Sequence, residues 1–262
     1  MNEITFNIIG YVKSKFKYRY ETPRQGVLSE ENYSVIELKR GYNFEQALKG
    51  LEGFERIWVI YVFHLNKNWK PMIIPPRHTN RKKVGVFASR APYRPNQIGL
   101  SCVRLEKIEN LKIYISESDI LDGTPILDIK PYLPYSDSFP NVNTGWVKDV
   151  SNETYEIEFS NISIEKIGWL KENANINLDN YAKVQLSIYP DDLKRKRITK
   201  FDEDLYQLAY RTWRIKYRID YQNKKVLIND IISGYKRIEL EEIEDDKYKD
   251  KNLHQKFNNL FK

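Results

Sequence analysis

Cysteine is almost missing from this chain of 262 residues, with Cys102 its single representative. That excludes an intrachain disulfide framework and any site built from several thiolates, and it points to a reducing compartment, the cytoplasm. Long apolar runs are missing too. The longest, Ile57 to Phe63, has seven residues, far short of the roughly 20 that a membrane helix needs. The opening Met-Asn-Glu-Ile-Thr-Phe lacks the basic start and apolar stretch of a signal peptide. No Gly-x-Gly-x-x-Gly follows a strand-like run and no Walker sequence occurs, so a nucleotide-like cofactor needs a scaffold other than the Rossmann fold. The most local absence is of acid. Between Arg56 and Leu105 there is no Asp or Glu, while ten Lys and Arg residues are interleaved with Trp58, Tyr61, Phe63, His64, Trp69, Phe87 and Tyr93. Cations mixed with stacking faces suit phosphates and bases together.

The charge is lopsided over a longer range. Residues 1–148 hold 22 basic and 15 acidic side chains, a balance of +7, whereas residues 149–262 hold 21 of each. A field of that kind speeds encounter with a polyanion and says little about the fold.

Short β-branched and aromatic runs fill the first part: Asn7–Val12, Tyr33–Leu38, Arg56–Phe63, Lys83–Phe87, Gly99–Ile108, Lys112–Ser116 and Pro125–Ile129. With one helix expected at Asn43–Leu51 and no other 3.6-residue period, this reads as a barrel or compact sandwich. After Trp146 the pattern mixes a strand at Tyr155–Phe159, helices at Ile164–Lys171 and Tyr181–Ile188, and a hairpin of Trp213–Tyr221 with Lys225–Ser233. The expected organisation is a mainly β, α+β chain: an N-terminal β-barrel over 1–148, a small α+β domain over 149–240, and a charged frayed helix or disordered tail over 241–262.

Three dense segments carry candidate chemistry. Pro23-Arg24-Gln25 comes first. The second runs from Val84 to Ser101, where Pro92 and Pro95 stiffen a loop that presents Arg90 and Arg94. In the third, Asp119 to Tyr132, the turn Asp122-Gly123-Thr124-Pro125 places Asp119 and Asp122 near strand ends and lets Asp128 and Lys130 emerge from the next strand. Taken singly, Asp122 reads as a turn residue and His64 as a core histidine.

Together, in order, the segments resemble the TrmO family of S-adenosylmethionine-dependent tRNA methyltransferases, over roughly residues 4 to 148, with Pro134, Tyr135 and Asp137 extending the match. The resemblance implies a β-barrel catalytic domain, a homodimer, and methyl transfer to the exocyclic nitrogen of a threonylcarbamoyl-adenosine next to the anticodon. It implies a cofactor pocket of Gln25, Gly26, Val27, Leu28, His64, Leu65, Arg90, Leu100 and Asp119, seated in the hollow of the barrel. Arg90 would pair with the methionine carboxylate and Asp119 or Asp122 would balance the sulfonium. Asp122, Asp128 and Asp137 are candidates to accept the proton. Arg24, Arg81, Lys82, Lys83, Arg94, Lys130 and Tyr135 would face the anticodon loop of tRNA, and no metal is implied. The C-terminal part departs from the family: Tyr189-Pro190-Asp191-Asp192-Leu193-Lys194 stands where an Asp-Pro-Arg-Pro-x-Tyr segment is usual. A non-catalytic RNA-binding relative and a methyltransferase with another acceptor are the alternatives.

Overall fold

The structure is a computed structural model and describes residues 3–19, 21, 33–75, 82–149, 154–193, 197–241, 246 and 248–261. It divides into two compact units, Met1–Ser151 and Asn152–Lys262.

The first unit contains β1 (Gly10–Ser14), β2 (Ser34–Leu38), α1 (Phe44–Ala47), β3 (Arg56–Val62), β4 (Met72–Ile73), β5 (Val84–Gly85), β6 (Ile98–Glu109), β7 (Lys112–Ser116), β8 (Pro125–Pro131) and α2 (Pro134–Asp137). Six of them close a barrel in the order β1-β2-β7-β6-β3-β8, and every described pairing is antiparallel. Alternation sends Val12, Ile36, Ile57, Val59, Val103, Ile113, Ile115 and Ile126 inward, and all eight are fully buried. Each contributes about 1.5–3 kcal/mol of burial. The barrel interior is therefore a packed aliphatic core and holds no hollow for a cofactor, so any pocket must lie at the barrel's ends or outer wall.

Two expectations for this unit change. The Asn43–Leu51 helix shrinks to the single turn of α1 plus a 3-10 turn at Leu51–Gly53, because Asn43 and Gly50 adopt left-handed φ angles of 56° and 83° that interrupt it. The Lys83–Phe87 strand survives only as β5, paired with β4, before the chain coils into a 3-10 turn at Val86–Ala88.

The second unit contains β9 (Glu156–Phe159), α3 (Asn161–Ala174), α4 (Leu178–Leu186), β10 (Ile198–Lys200), β11 (Leu205–Tyr210), β12 (Trp213–Asp220), β13 (Lys225–Ser233), α5 (Arg237–Glu241) and α6 (Lys251–Leu260). Its sheet runs β10-β11-β12-β13-β9, with β9 parallel to β13. Ser160 caps α3 by accepting from Ser163 N at 3.2 Å. The strict alternation of β12 buries Trp213, Ile215, Tyr217 and Ile219 on one face. The segment expected as a frayed or disordered tail instead carries α6, whose Phe257 is 2% exposed and packs at 4.8 Å, edge-on, against Trp213.

Candidate active site

One end of the barrel is polar where the rest is aliphatic. Tyr61, the last inward residue of β3, lies opposite Gly99 of β6, and a Cβ on Gly99 would sit 2.4 Å from the Tyr61 ring. Only glycine leaves room for that ring. Tyr61 hydroxyl is 3.2 Å from Ser101 Oγ, and Ser101 Oγ donates to Asp119 Oδ1 at 2.6 Å. Ser101 and Tyr61 are 8% and 6% exposed, so the chain of hydroxyls is shielded from water. Burial pushes the Asp119 carboxyl up, while the Ser101 bond and the positive charge of Arg90 pull the other way. Burial and the Asp119 charge push the Tyr61 phenol up in turn.

Asp119 forms one wall of a cleft whose other sides include His64, Leu65, Asn66, Pro92 and Arg19. Asn66 Nδ2 donates to Pro92 O at 2.9 Å, which fastens the Pro92 loop to the end of β3. His64 stands at the cleft's exposed rim and not in the core; partial burial and nearby Arg19 lower its pKa, so its imidazole is neutral at pH 7. The described walls enclose about 140 Å³. Drug-sized pockets hold roughly 300–1,000 Å³, so the described walls alone enclose less than such a ligand needs.

The structure gathers His64, Leu65 and Asp119 around this cleft, with Arg90 exposed yet close enough for its charge to reach Asp119. Leu100 lies elsewhere, 53% exposed on the outer barrel face opposite Ile60. Arg24, Gln25, Gly26, Val27, Leu28 and Arg81 fall outside the described residues. None of the three aspartates considered as proton acceptors lines the cleft. Asp122 Oδ1 accepts from Ser14 N at 3.0 Å, and its own N donates to Phe16 O at 2.8 Å, so it ties the end of β1 to the loop before β8. Asp128 accepts from Ile129 N and pairs with Lys130 at 2.8 Å. Asp137 accepts from Leu133 N at 3.0 Å, Trp58 Nε1 at 2.8 Å and Ser136 Oγ at 2.9 Å, and these bonds hold its pKa below the usual range. Arg94 Nη1 donates to Val86 O and Ser89 O at 3.2 and 2.9 Å and so braces its own loop. Lys82, Lys83 and Tyr135 are exposed, Tyr135 at 84%.

Sequence reasoning missed Ser101 and Tyr61. A hydroxyl at an inward position of an apolar strand was the available signal, but their union with Asp119 spans 40 and 18 residues and shows only in the fold. No helix among the described residues is long and apolar enough to cross a membrane, and no metal-binding cluster of His, Cys, Asp and Glu occurs among them.

Comparison with known proteins identifies the chain's relatives. The family model for the tRNA-methyltransferase O N-terminal domain matches residues 11–138. The tRNA (adenine(37)-N6)-methyltransferase of Escherichia coli K12 is 33% identical over 178 residues, covering 63% of this chain and 76% of its own. A putative S-adenosylmethionine-dependent methyltransferase, RcsF of Pseudomonas aeruginosa, is 38% identical over 160 residues, 60% of this chain and 66% of its own. The crystal structure of TrmO from Pseudomonas aeruginosa superimposes with a TM-score of 0.63 at 26% identity over 88% of this chain and 99% of that one. A barrel with a polar end, the matched N-terminal model and a relative aligned over three quarters of its length place the chain in one group: it belongs to the tRNA-methyltransferase O family.

Proposed function

We propose that this chain is an S-adenosylmethionine-dependent tRNA methyltransferase that acts on the exocyclic nitrogen of adenosine 37, with the threonylcarbamoyl-modified base as its acceptor. The observation that carries the reading is the enclosed Asp119 facing a cleft under the field of Arg90, in a member of this family. The residues suit the donor's chemistry. Its carboxylate matches the exposed Arg90 guanidinium, its cationic groups match Asp119, and its apolar parts match Leu65. Bound there, S-adenosylmethionine supplies an electrophilic methyl group. The protein's task is then mainly positioning: Asn66 and Pro92 hold the wall, Ser101 holds Asp119, and neutral His64 adds no competing positive charge. Asp122, Asp128 and Asp137 act through the bonds that shape the scaffold, and Asp119 is the carboxyl at the reacting atoms.

Gln25, Gly26, Val27 and Leu28 complete the donor pocket in this reading, with the chain acting as a homodimer in the cytoplasm. Exposed Trp69, Met72 and Phe87 supply apolar area for a second copy. Arg24, Arg81, Lys82, Lys83 and Tyr135 face the anticodon loop, whose splayed bases a protein can read, with Lys130 at its margin. The test uses the full chain, S-adenosylmethionine carrying an isotope-labelled methyl, and tRNA from a strain lacking this protein. Nucleoside mass spectrometry should show label on threonylcarbamoyl-adenosine and none on unmodified adenosine 37. Label appearing on another nucleoside, or on none, overturns the assignment.

A further inference from the structure

A row of cations runs from the outer wall of the barrel to the cleft. Along residues 11–19 the side chains alternate: Lys13, Lys15, Lys17 and Arg19 are exposed, whereas Val12 and Phe16 between them are buried and Ser14 and Tyr18 half-buried. The buried members anchor the row and the exposed ones stand about 6–7 Å apart along the extended part of the chain. The backbone beneath them is pinned. Val12 N donates to Thr124 O, Gly123 N to Val12 O, Ser14 N to Asp122 Oδ1 and Asp122 N to Phe16 O, so the row is bonded to the segment that follows Asp119. Farther along, the buried Glu21 accepts from both Lys17 N and Tyr18 N through Oε2, at 2.9 and 3.2 Å.

The two ends of the row meet two concavities. Arg19 lines the Asp119 cleft. Lys13 and Lys15 line an open hollow of about 700 Å³ on the barrel's outer wall, with Tyr33, Val35, Tyr114 and Lys107 on its other sides. Tyr33 is 64% exposed, and Ser34 Oγ, buried in the hollow's wall, has no partner among the described residues. The acids at the hollow are engaged: Glu106 takes the Ser116 hydroxyl, Asp122 takes Ser14 N, and Glu109 pairs with Lys107.

We infer that the Lys13-Lys15-Lys17-Arg19 row is a track for a single-stranded polynucleotide, with Tyr33 and Tyr114 offering stacking faces at its far end and the cleft at the other. The spacing of the cations is comparable to that of successive phosphates in an extended strand. Cations in line with aromatic faces are the pattern of single-strand recognition. An acidic peptide could match the two-residue interval, but the aromatic Tyr33 at one end and the donor cleft at the other favour a nucleic-acid strand. The inference rests on the reading above and names where the anticodon loop's backbone lies. It also gives Asp122 a purpose, since that carboxylate fixes the row's backbone.

The experiment compares the full chain with the triple variant Lys13→Gln, Lys15→Gln, Lys17→Gln and with the matching triple Arg variant, leaving Arg19 in place. Binding of fluorescently labelled tRNA is followed from low to physiological salt, and S-adenosylmethionine binding by calorimetry. The Gln variant should bind tRNA at least tenfold more weakly, and its slope of log affinity against log salt should fall by about 2, since each single-strand phosphate contact carries roughly 0.7. The Arg variant should keep both, and all three proteins should bind the donor alike. An unchanged slope in the Gln variant, or equal loss in the Arg variant, overturns the track while wild-type methylation leaves the enzyme reading standing. Absence of tRNA binding and methylation in the wild type overturns the enzyme reading and the track with it.

Discussion

Each unit encloses a cluster of polar side chains around one titratable group, His254 in the second and Asp119 in the first, and the two clusters differ in how they end. In the second unit His254 is fully buried, with Nδ1 2.7 Å from Ser233 Oγ and Nε2 2.8 Å from Thr212 Oγ1, while Asp250 accepts from Thr212 Oγ1 and Tyr235 OH at 2.6 and 3.0 Å. His254 also stacks on Trp213 at 3.6 Å. The polar atoms of His254, Thr212, Ser233, Tyr235 and Asp250 are all partnered, so their bonds close on one another and fasten α6 to the sheet, while the buried Trp213 Nε1 beside them has no partner among the described residues. In the first unit the series Tyr61, Ser101, Asp119 ends on a carboxyl that burial disfavours and that faces a cleft. A satisfied cluster stabilises, whereas one left short at a cleft wall is poised for a ligand. The cores around them differ in their aromatic content: the barrel is packed mainly with Ile, Val and Leu, and the second unit adds Trp213, Tyr217, Phe257, Tyr206 and Tyr181 to its aliphatic residues.

The largest expected effect probes that second core. Trp213→Ala should cost about 3–5 kcal/mol, because the ring is fully buried against His254 and Phe257. Differential scanning calorimetry should show a transition of the second unit moved down or lost, with donor affinity retained by the barrel. Loss of donor binding in this variant would break the division of labour between the units.

Next come two substitutions of opposite sign. His254→Phe removes the two ring-nitrogen hydrogen bonds, to Ser233 and Thr212, and should destabilise by about 1–3 kcal/mol, with no change in donor affinity. Asp119→Asn should do the reverse. Its carboxyl has a folded-state pKa raised above the unfolded value, so the native state holds the proton more tightly, and wild-type stability falls as pH rises from the unfolded value, about 3.9, through the folded one. Removing the ionisable group removes that fall. The variant should melt a few degrees higher than wild type at pH 8, match it at pH 3, and be inactive in methyl transfer. A lower melting temperature at pH 8 would make Asp119 a structural residue like His254.

How much of this the sequence disclosed follows from the range of the interactions. Runs of β-branched and aromatic residues are local, so β3, β7, β12 and β13 were legible to within a residue or two; strict alternation marked the two faces of β12, whereas the continuous apolar run of β3 left its inward set unread. α6 was hidden because Lys, Asn and Gln surround its apolar stripe of Leu253, Phe257 and Phe261. β10 and β11 were missed for a similar reason: β10 has three residues, and in β11 the small Ala209 interrupts the apolar and polar alternation. At the site, the resemblance grouped Asp119 with His64 and Leu65, and the fold brings the three to one cleft. Their chemistry was not legible, because what separates Asp119 from Asp122 is a bond from Ser101 in one case and from Ser14, 108 residues away, in the other. Two aspartates three positions apart thus sit in different bonding environments.

The smallest expected effect concerns Lys130 and sharpens where RNA meets the first unit. It stands on β8 opposite Trp58, 2.8 Å from Asp128, with the two side chains 61% and 49% exposed. A pair that open to solvent contributes about 1 kcal/mol or less, so Lys130→Gln should leave the melting temperature within about a degree or two. Its charge already has an anionic neighbour, and a phosphate arriving there would compete with Asp128, unlike one arriving at Lys13 or Lys17. The variant should therefore weaken tRNA binding by about twofold or less and shift the salt slope by well under the roughly 0.7 of a full single-strand contact. A loss as large as that of the triple Gln variant would move the RNA surface from the β1 row to the β3–β8 wall. Asp128→Asn, which frees Lys130 from its partner, should then strengthen binding; on the track reading it does nothing measurable.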